Sequence, residues 1–311
     1  MSPNFLFNIL FTYPEDQRIY TYAILDSLRN SGLRQAVNFS DLKFCNLWHE
    51  DIRGNTESIP LLLIECEKDN KITIDLVLDN KEALIFFQSP YTIEELQDYY
   101  SRFTYPLIQF YGDDWQRGIF GCFDSKILST YIESLYSEEK QQEFFSASRI
   151  WFRFDHKNEK IYSCCLRDSN TMETGFINLS EHIELLASNQ IKTPIDHILD
   201  TSIEIKIDQR QVAYFQKKER DLYLLEVLQE INNERQLDID MEQQKYYAAA
   251  LYAEAQRYGL ETESGIYRYI SLGLISNSQS LEPYDGIQTL AQLQTEKQKI
   301  DYMDQVLQPM T

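Results

Sequence analysis

The apolar pattern of this chain changes character once, and that change limits the fold more than any other feature. Up to about residue 168, short β-prone runs alternate with helical patterns, IYTYAILD, PLLLIE, ALIFFQS, LIQFY and GIFGCF, an alternation that reads as α/β or α+β. RIWFRF and KIYSCCL, separated by DHKNE, read as a hairpin that closes this part. Residues 169–204 are polar and carry Pro194, which suits a connection. Beyond them the strand signal fades, and helices are expected over about 208–232, 239–258, 263–276 and 286–307. The expected fold is an N-terminal mixed α/β lobe (1–168), a connection (169–204) and an all-helical lobe (205–311).

Local signals mark several elements. Thr92 and Glu95 have capping-box spacing, Tyr91 and Leu96 sit where a hydrophobic staple closes, and Ile93, Leu96, Tyr100 and Phe103 share one face. Tyr247, Ala250, Leu251, Ala255 and Tyr258 form a stripe, and Gly259 supplies a C-terminal stop. In GIFGCFDSKIL, Asp124 breaks a β-prone run (Ile119 to Phe123) and precedes Leu128, Tyr131, Ile132, Leu135 and Tyr136 at helical spacing. A carboxylate there would accept from the first-turn N–H groups, so Asp124 reads as an N-cap rather than as a catalytic acid. Cys122 beside it has no neighbouring base and reads as a buried, inert thiol.

Acidic residues outnumber Lys plus Arg by 49 to 29. A net charge of −20 repels phosphate backbones and anionic bilayers, so neither nucleic acid nor membrane is an expected partner. Five cysteines without a spaced framework fit a reducing compartment, and the apolar run near the N-terminus is too short for a signal or a span. The reading is cytoplasmic. The 21 Tyr and 17 Phe exceed ordinary usage and hint at contact surfaces.

Chemistry-bearing motifs are sparse. WHED, Trp48 to Asp51, gathers a His and two carboxylates, but HEDIR places Arg53 where HExxH needs its second His. His156, His182 and His197 lie outside any ligand spacing, and GxGxxG, GxxxxGK[ST] and GxSxG do not occur. No catalytic, cofactor-binding or metal-ligating residue is therefore assigned, and no cofactor is expected.

Five ordered segments resemble one family. They are YAILDSLRN at 22–30, with Tyr22 and Asp26; NLWHEDIRGNTESIPLLLIE, with Pro60 before its apolar run; and ALIFFQSPYTIEELQDYYSRF. FGCFDSKIL, Phe120 to Leu128, and AEAQRYGLETESGIYRYISLGL, Ala253 to Leu274, complete the set. Together they resemble the adaptor chaperones of bacterial type VI secretion, the Tap or Tec family. FGCFDSKIL is similar to that family's FRFYDPRVL motif: Asp124 keeps the Asp, Ile127 and Leu128 keep the apolar pair, Phe123 stands at the aromatic position before the Asp, and Gly121, Ser125 and Lys126 replace Arg, Pro and Arg. In the helical half, Tyr258 and Gly259 match the family's "yG" pair.

The resemblance implies a non-enzymatic adaptor. Its partners would be an effector, held through an N-terminal delivery region, and the spike protein onto which that effector is loaded. An immunity protein that neutralises a toxin and an enzyme of unrecognised mechanism are the alternatives. Tyr252 and Tyr267, off the main apolar stripe, are candidates for partner contact, the other reading being that they line the core.

Overall fold

Strand β1, Tyr20–Asp26, pairs antiparallel with β3, Leu61–Cys66, on one side and with β4, Leu84–Ser89, on the other. Strand β2, Phe44–Asn46, flanks β3, while β7, Ile150–Asp155, β8, Lys160–Leu166, and β9, Met172–Phe176, extend the sheet beyond β4. The order is β2-β3-β1-β4-β7-β8-β9, and every pairing is antiparallel. A second sheet of three strands has the order β10-β5-β6, with β5 at Leu107–Gln109, β6 at Trp115–Arg117 and β10 at Lys206–Ile207. The structure is a computed structural model that describes residues 3–26, 31–54, 61–79, 84–110, 112–124, 127–155, 160–167, 170–176, 186–188, 190–194, 198–235, 241–276, 281 and 285–307.

Among the described residues, seven helices accompany these strands: α1 (Pro3–Leu10), α2 (Ser31–Asn38), α3 (Glu50–Arg53), α4 (Lys71–Asp79), α5 (Ile93–Tyr100), α6 (Ile127–Glu133) and α7 (Glu138–Phe145). Five more follow: α8 (Gln209–Arg235), α9 (Met241–Arg257), α10 (Glu263–Ile275), α11 (Asp285–Gln292) and α12 (Glu296–Leu307). The chain divides into two units, Met1–Phe215 and Gln216–Thr311. Strands and helices fill the first, helices the second, which makes the fold α+β.

The large sheet is buried on both faces. Tyr22, Ile24, Ile85, Phe87 and Trp151 face one core, shared with Leu96, Leu128, Tyr131 and Phe144 of α5, α6 and α7. Ala23, Leu25, Leu84, Phe86, Ile150 and Phe152 face the other, shared with Ile9 and Leu10 of α1 and Val37 of α2. The strands therefore read as continuous apolar runs, the pattern usual for parallel sheets, although the pairing is antiparallel.

A polar knot crosses this core. The Gln88 amide donates to the carbonyls of Leu10 and Thr12, both at 3.1 Å, and its Oε1 accepts from Arg149 Nη1 at 2.9 Å. Arg149 Nη2 donates to the carbonyls of Leu186 (2.8 Å) and Ser188 (3.0 Å). Arg149 is fully buried with no carboxylate partner among the described residues, and burial pulls its pKa down to about 10.

Four expectations change. The sheet continues past residue 168, because β9 pairs with β8 inside the stretch assigned to a connection; METGF is a polar strand and gives little hydrophobic signal. Asn170, at φ 59°, turns the chain between them. Residues 205–215, placed in the helical lobe, belong to the first unit and include β10. The run Ile119 to Phe123 is not a strand: Phe120 N–H still donates to Thr104 (3.0 Å), but Asp124 N–H then turns back to Gly121 (2.9 Å). Finally, the helix expected over 286–307 is two, because Thr295 and Gln298 form reciprocal cap bonds that start α12 afresh.

Candidate functional site

The capping box at Thr92 closes as its spacing implies: Thr92 N–H donates to Glu95 Oε2 at 2.8 Å, and the Thr92 hydroxyl accepts from Glu95 N–H. This fixes α5 against the sheet, with Ile93, Leu96, Tyr99 and Tyr100 buried. The 3₁₀ turn Ser101–Thr104 continues it and leads into β5.

The residues singled out by the sequence resemblance serve packing and turns. Tyr22 is buried, stacks on Phe87 with ring centroids 5.3 Å apart, and donates its hydroxyl to the Tyr91 carbonyl at 2.7 Å; burial raises its pKa. Phe123 is buried in the same core and stacks on Trp151 at 5.8 Å. Asp26 ends β1 opposite Leu61. The Asp124 carbonyl accepts from Ile127 (3.0 Å) and Leu128 (2.8 Å), which puts Asp124 at the N-cap position of α6. Pro60, Ser125 and Lys126 lie outside the described residues.

In the second unit, Gly259 adopts φ 69°, and Leu260 N–H returns to the Ala255 carbonyl at 3.1 Å, a left-handed stop to α9. Lys299 of α12 donates to the Tyr258 carbonyl, while Glu296 accepts from the N–H groups of Glu261 (2.9 Å) and Thr262 (2.8 Å). One turn of α12 thus caps the end of α9 and the start of α10 together. Within α9, Leu251 and Ala255 are buried as expected, but Ala250 is exposed and Ala248 takes its place. Tyr252 and Tyr267 are half-buried; the Tyr252 hydroxyl accepts from Gln256 at 3.1 Å and its ring meets the Tyr223 ring edge-on. Tyr246, one turn before Ala250 on α9, is 76% exposed.

His49 is a cap. Its Nδ1 accepts from Asp51 N–H at 3.3 Å at the start of α3, and Arg53 donates to the Trp48 carbonyl. Among the described residues no group of His, Cys, Asp and Glu could hold a metal ion; His156, His182 and His197 lie outside them. Burial pushes every thiol up, Cys45 and Cys66 to about 12, Cys165 to about 11, and Cys122 and Cys164 also well upward. Such thiols are poor nucleophiles.

A cleft of about 330 Å³ lies beside α5, lined by Tyr99, Arg102, Glu143, Phe145, Ile198 and Ile203 among others. Arg102 is committed to main chain there: Nε donates to the Tyr99 carbonyl (3.1 Å), and Nη1 to that of Ile203. Burial raises the Glu143 pKa against the pull of Lys140 and Arg102.

Isolated apolar side chains such as Phe39 and Ile198 are more exposed, but the β5–β6 hairpin gathers several exposed apolar side chains within one short segment. Gly112, at φ 60°, makes its turn. Phe110 (46% exposed), Trp115 (38%) and Ile119 (59%) stand out from it within ten residues. Gly118 N–H and Phe120 N–H donate to the carbonyls of Pro106 (3.2 Å) and Thr104 (3.0 Å). By ladder alternation, Gln116, Gly118 and Phe120 face β5, while Trp115, Arg117 and Ile119 turn their backbone groups outward. β6 is an edge of its sheet, so among the described residues these outward groups meet no strand. A three-residue strand is too short to announce itself; the usable signal was the alternation in WQRGIF behind the GDD turn.

No family model, curated protein or solved structure matches the chain.

Proposed function

We propose that this chain is a non-enzymatic adaptor that binds an effector of a bacterial type VI secretion system and promotes its loading onto the spike protein. The partner class comes from the five ordered segments, from YAILDSLRN to AEAQRYGLETESGIYRYISLGL. The observation that carries a protein-binding reading is the β5–β6 hairpin, where Trp115 and Ile119 expose large apolar side chains and turn outward backbone groups that meet no strand among the described residues. Acidic excess adds that the bound surface is basic. No helix among the described residues is long and apolar enough to cross a membrane, and an adaptor of this kind works in the cytoplasm, before the effector leaves the cell.

The test is direct binding of the purified chain to fragments of the effector encoded beside it, with and without a chelator. Binding of the N-terminal delivery fragment, unchanged by the chelator, is the expected result. Recognition confined to the toxic domain would replace the adaptor reading with an immunity protein. A requirement for metal, or turnover of a substrate, would replace it with an enzyme.

A further inference from the structure

We infer that the outer edge of β6 is a docking edge for an extended, basic segment of a partner protein, which adds to the small sheet as a further strand. The inference deepens the protein-binding reading and rests on it.

Strand addition needs a row of backbone donors and acceptors pointing away from the existing ladder, with side-chain positions beside it that distinguish one peptide from another. From Trp115 to Ile119 both are present. The inward bonds of Gly118 and Phe120 fix the parity, so Trp115, Arg117 and Ile119 each present N–H and C=O outward. The same three side chains share a face, because strand side chains alternate. Trp115 and Ile119 on that face are exposed, whereas Phe120 on the other is half-buried against Tyr131 and Phe215, with ring centroids 5.5 and 5.4 Å away. The five residues span roughly 17 Å, enough for a short recognition segment.

The edge is backed by a bonded strand with a buried centre. β5 lies between β6 and β10, Leu107 N–H donates to the Ile205 carbonyl at 2.9 Å, and Ile108 is buried. Gly118 lets the two strands approach, since a Cβ there would stand 3.0 Å from Ile108 Cδ1.

Charge selects the occupant. Asp113 and Asp114, beside the edge at the hairpin turn, are exposed and make no ion pair among the described residues. Arg117, the cation on the edge itself, is neutralised by Glu204 and also donates to the Tyr105 carbonyl. Lys206 lies 5.7 Å from the Trp115 ring centroid. Two free carboxylates at the turn, within a chain of net charge −20, favour Lys or Arg in the added strand over Asp or Glu.

The probe is a synthetic ten-residue peptide of alternating Lys and Val, compared with its Glu and Val counterpart; the readout is amide exchange of the full chain resolved by residue. The Lys peptide is expected to slow exchange at Arg117 and Ile119 at least about tenfold, leaving Gln116 and Gly118, already bonded to β5, little changed. Ile119→Pro removes an outward N–H without touching the ladder and is expected to weaken peptide binding about tenfold or more. Absence of protection at millimolar Lys peptide, or equal protection by the Glu peptide, overturns the inference. Protection that rises with protein concentration alone overturns it in favour of a second copy of this chain. Undiminished effector capture by Ile119→Pro overturns the edge and leaves the adaptor reading standing. Peptide protection without capture of any co-encoded effector does the reverse.

Discussion

In the first unit six of the eleven described tyrosines are buried, Tyr22, Tyr91, Tyr99, Tyr100, Tyr131 and Tyr162, and the rings of Tyr22, Tyr99, Tyr100 and Tyr131 mesh with Phe87, Phe103, Phe144 and Trp151. In the second unit only Tyr269 of the described tyrosines is buried; Tyr223, Tyr247, Tyr252, Tyr258, Tyr267 and Tyr302 are half-buried and Tyr246 is exposed. The same residue type therefore serves two ends. A sheet covered on both faces consumes aromatics as core, where each pair adds about 0.5–1.5 kcal/mol beyond burial. A small helical unit with an aliphatic centre of Leu228, Leu251, Ile270 and Leu290 leaves its tyrosines at the rim. High aromatic content alone is consequently poor evidence of a contact surface; position within each unit decides.

The sharpest way to test that contrast is to remove what is specific to each core. Arg149→Ala deprives Gln88 and the carbonyls of Leu186 and Ser188 of their donor, and should destabilise the first unit by about 3 kcal/mol. Amide protection should fall first in β4 and β7; equal loss throughout α9 and α10 would break the contrast. Gly273→Ala attacks the second unit, because a Cβ there would lie 2.3 Å from Leu251 Cδ1 in a fully buried contact. Chemical denaturation should report a loss of about 2 kcal/mol, with exchange accelerated in α9 and α10. A neutral outcome would mean that the helices can move apart without cost.

Smaller effects separate punctuation from chemistry. Asp124→Ala should cost about 1 kcal/mol, and Asp124→Asn should largely restore it, since Asn caps but cannot act as a carboxylate base. Equal damage from both variants, with the fold intact, would contradict the capping account. Smallest is the clamp on α12. Hydrogen bonds from Thr262 and Glu261 hold the Glu296 carboxyl below its ordinary 4.5, so its contribution is fully present above that value and is lost as pH falls through the lower folded pKa. Glu296→Gln should flatten the acid limb of the second unit's stability, measured by exchange at several pH values.

These comparisons also explain what the sequence disclosed. Elements with chemical punctuation were legible: Thr92 with Glu95, and Gly259 at the end of α9, work through local geometry that does not depend on the rest of the fold. Strand pairing was not. Burial on both faces erased the two-residue alternation from LLLIEC and LIFFQS, so antiparallel neighbours read like parallel ones. The break before α12 was present as Thr295 and Gln298 but was hidden by continuous helical periodicity across it. The exposed edge was least visible, because outward direction is set by the β5 register, which three residues of β6 cannot announce.

Binding kinetics test the central claim, an acidic, aromatic-anchored adaptor, most directly. Association and dissociation rates of the full chain with the N-terminal region of the co-encoded effector would be measured at about 0.05 and 0.5 M salt. The account predicts that high salt slows association about tenfold while dissociation changes little, since charge steers encounter and apolar contacts hold the complex. Association indifferent to salt with faster dissociation, or no binding to that region at all, would contradict it.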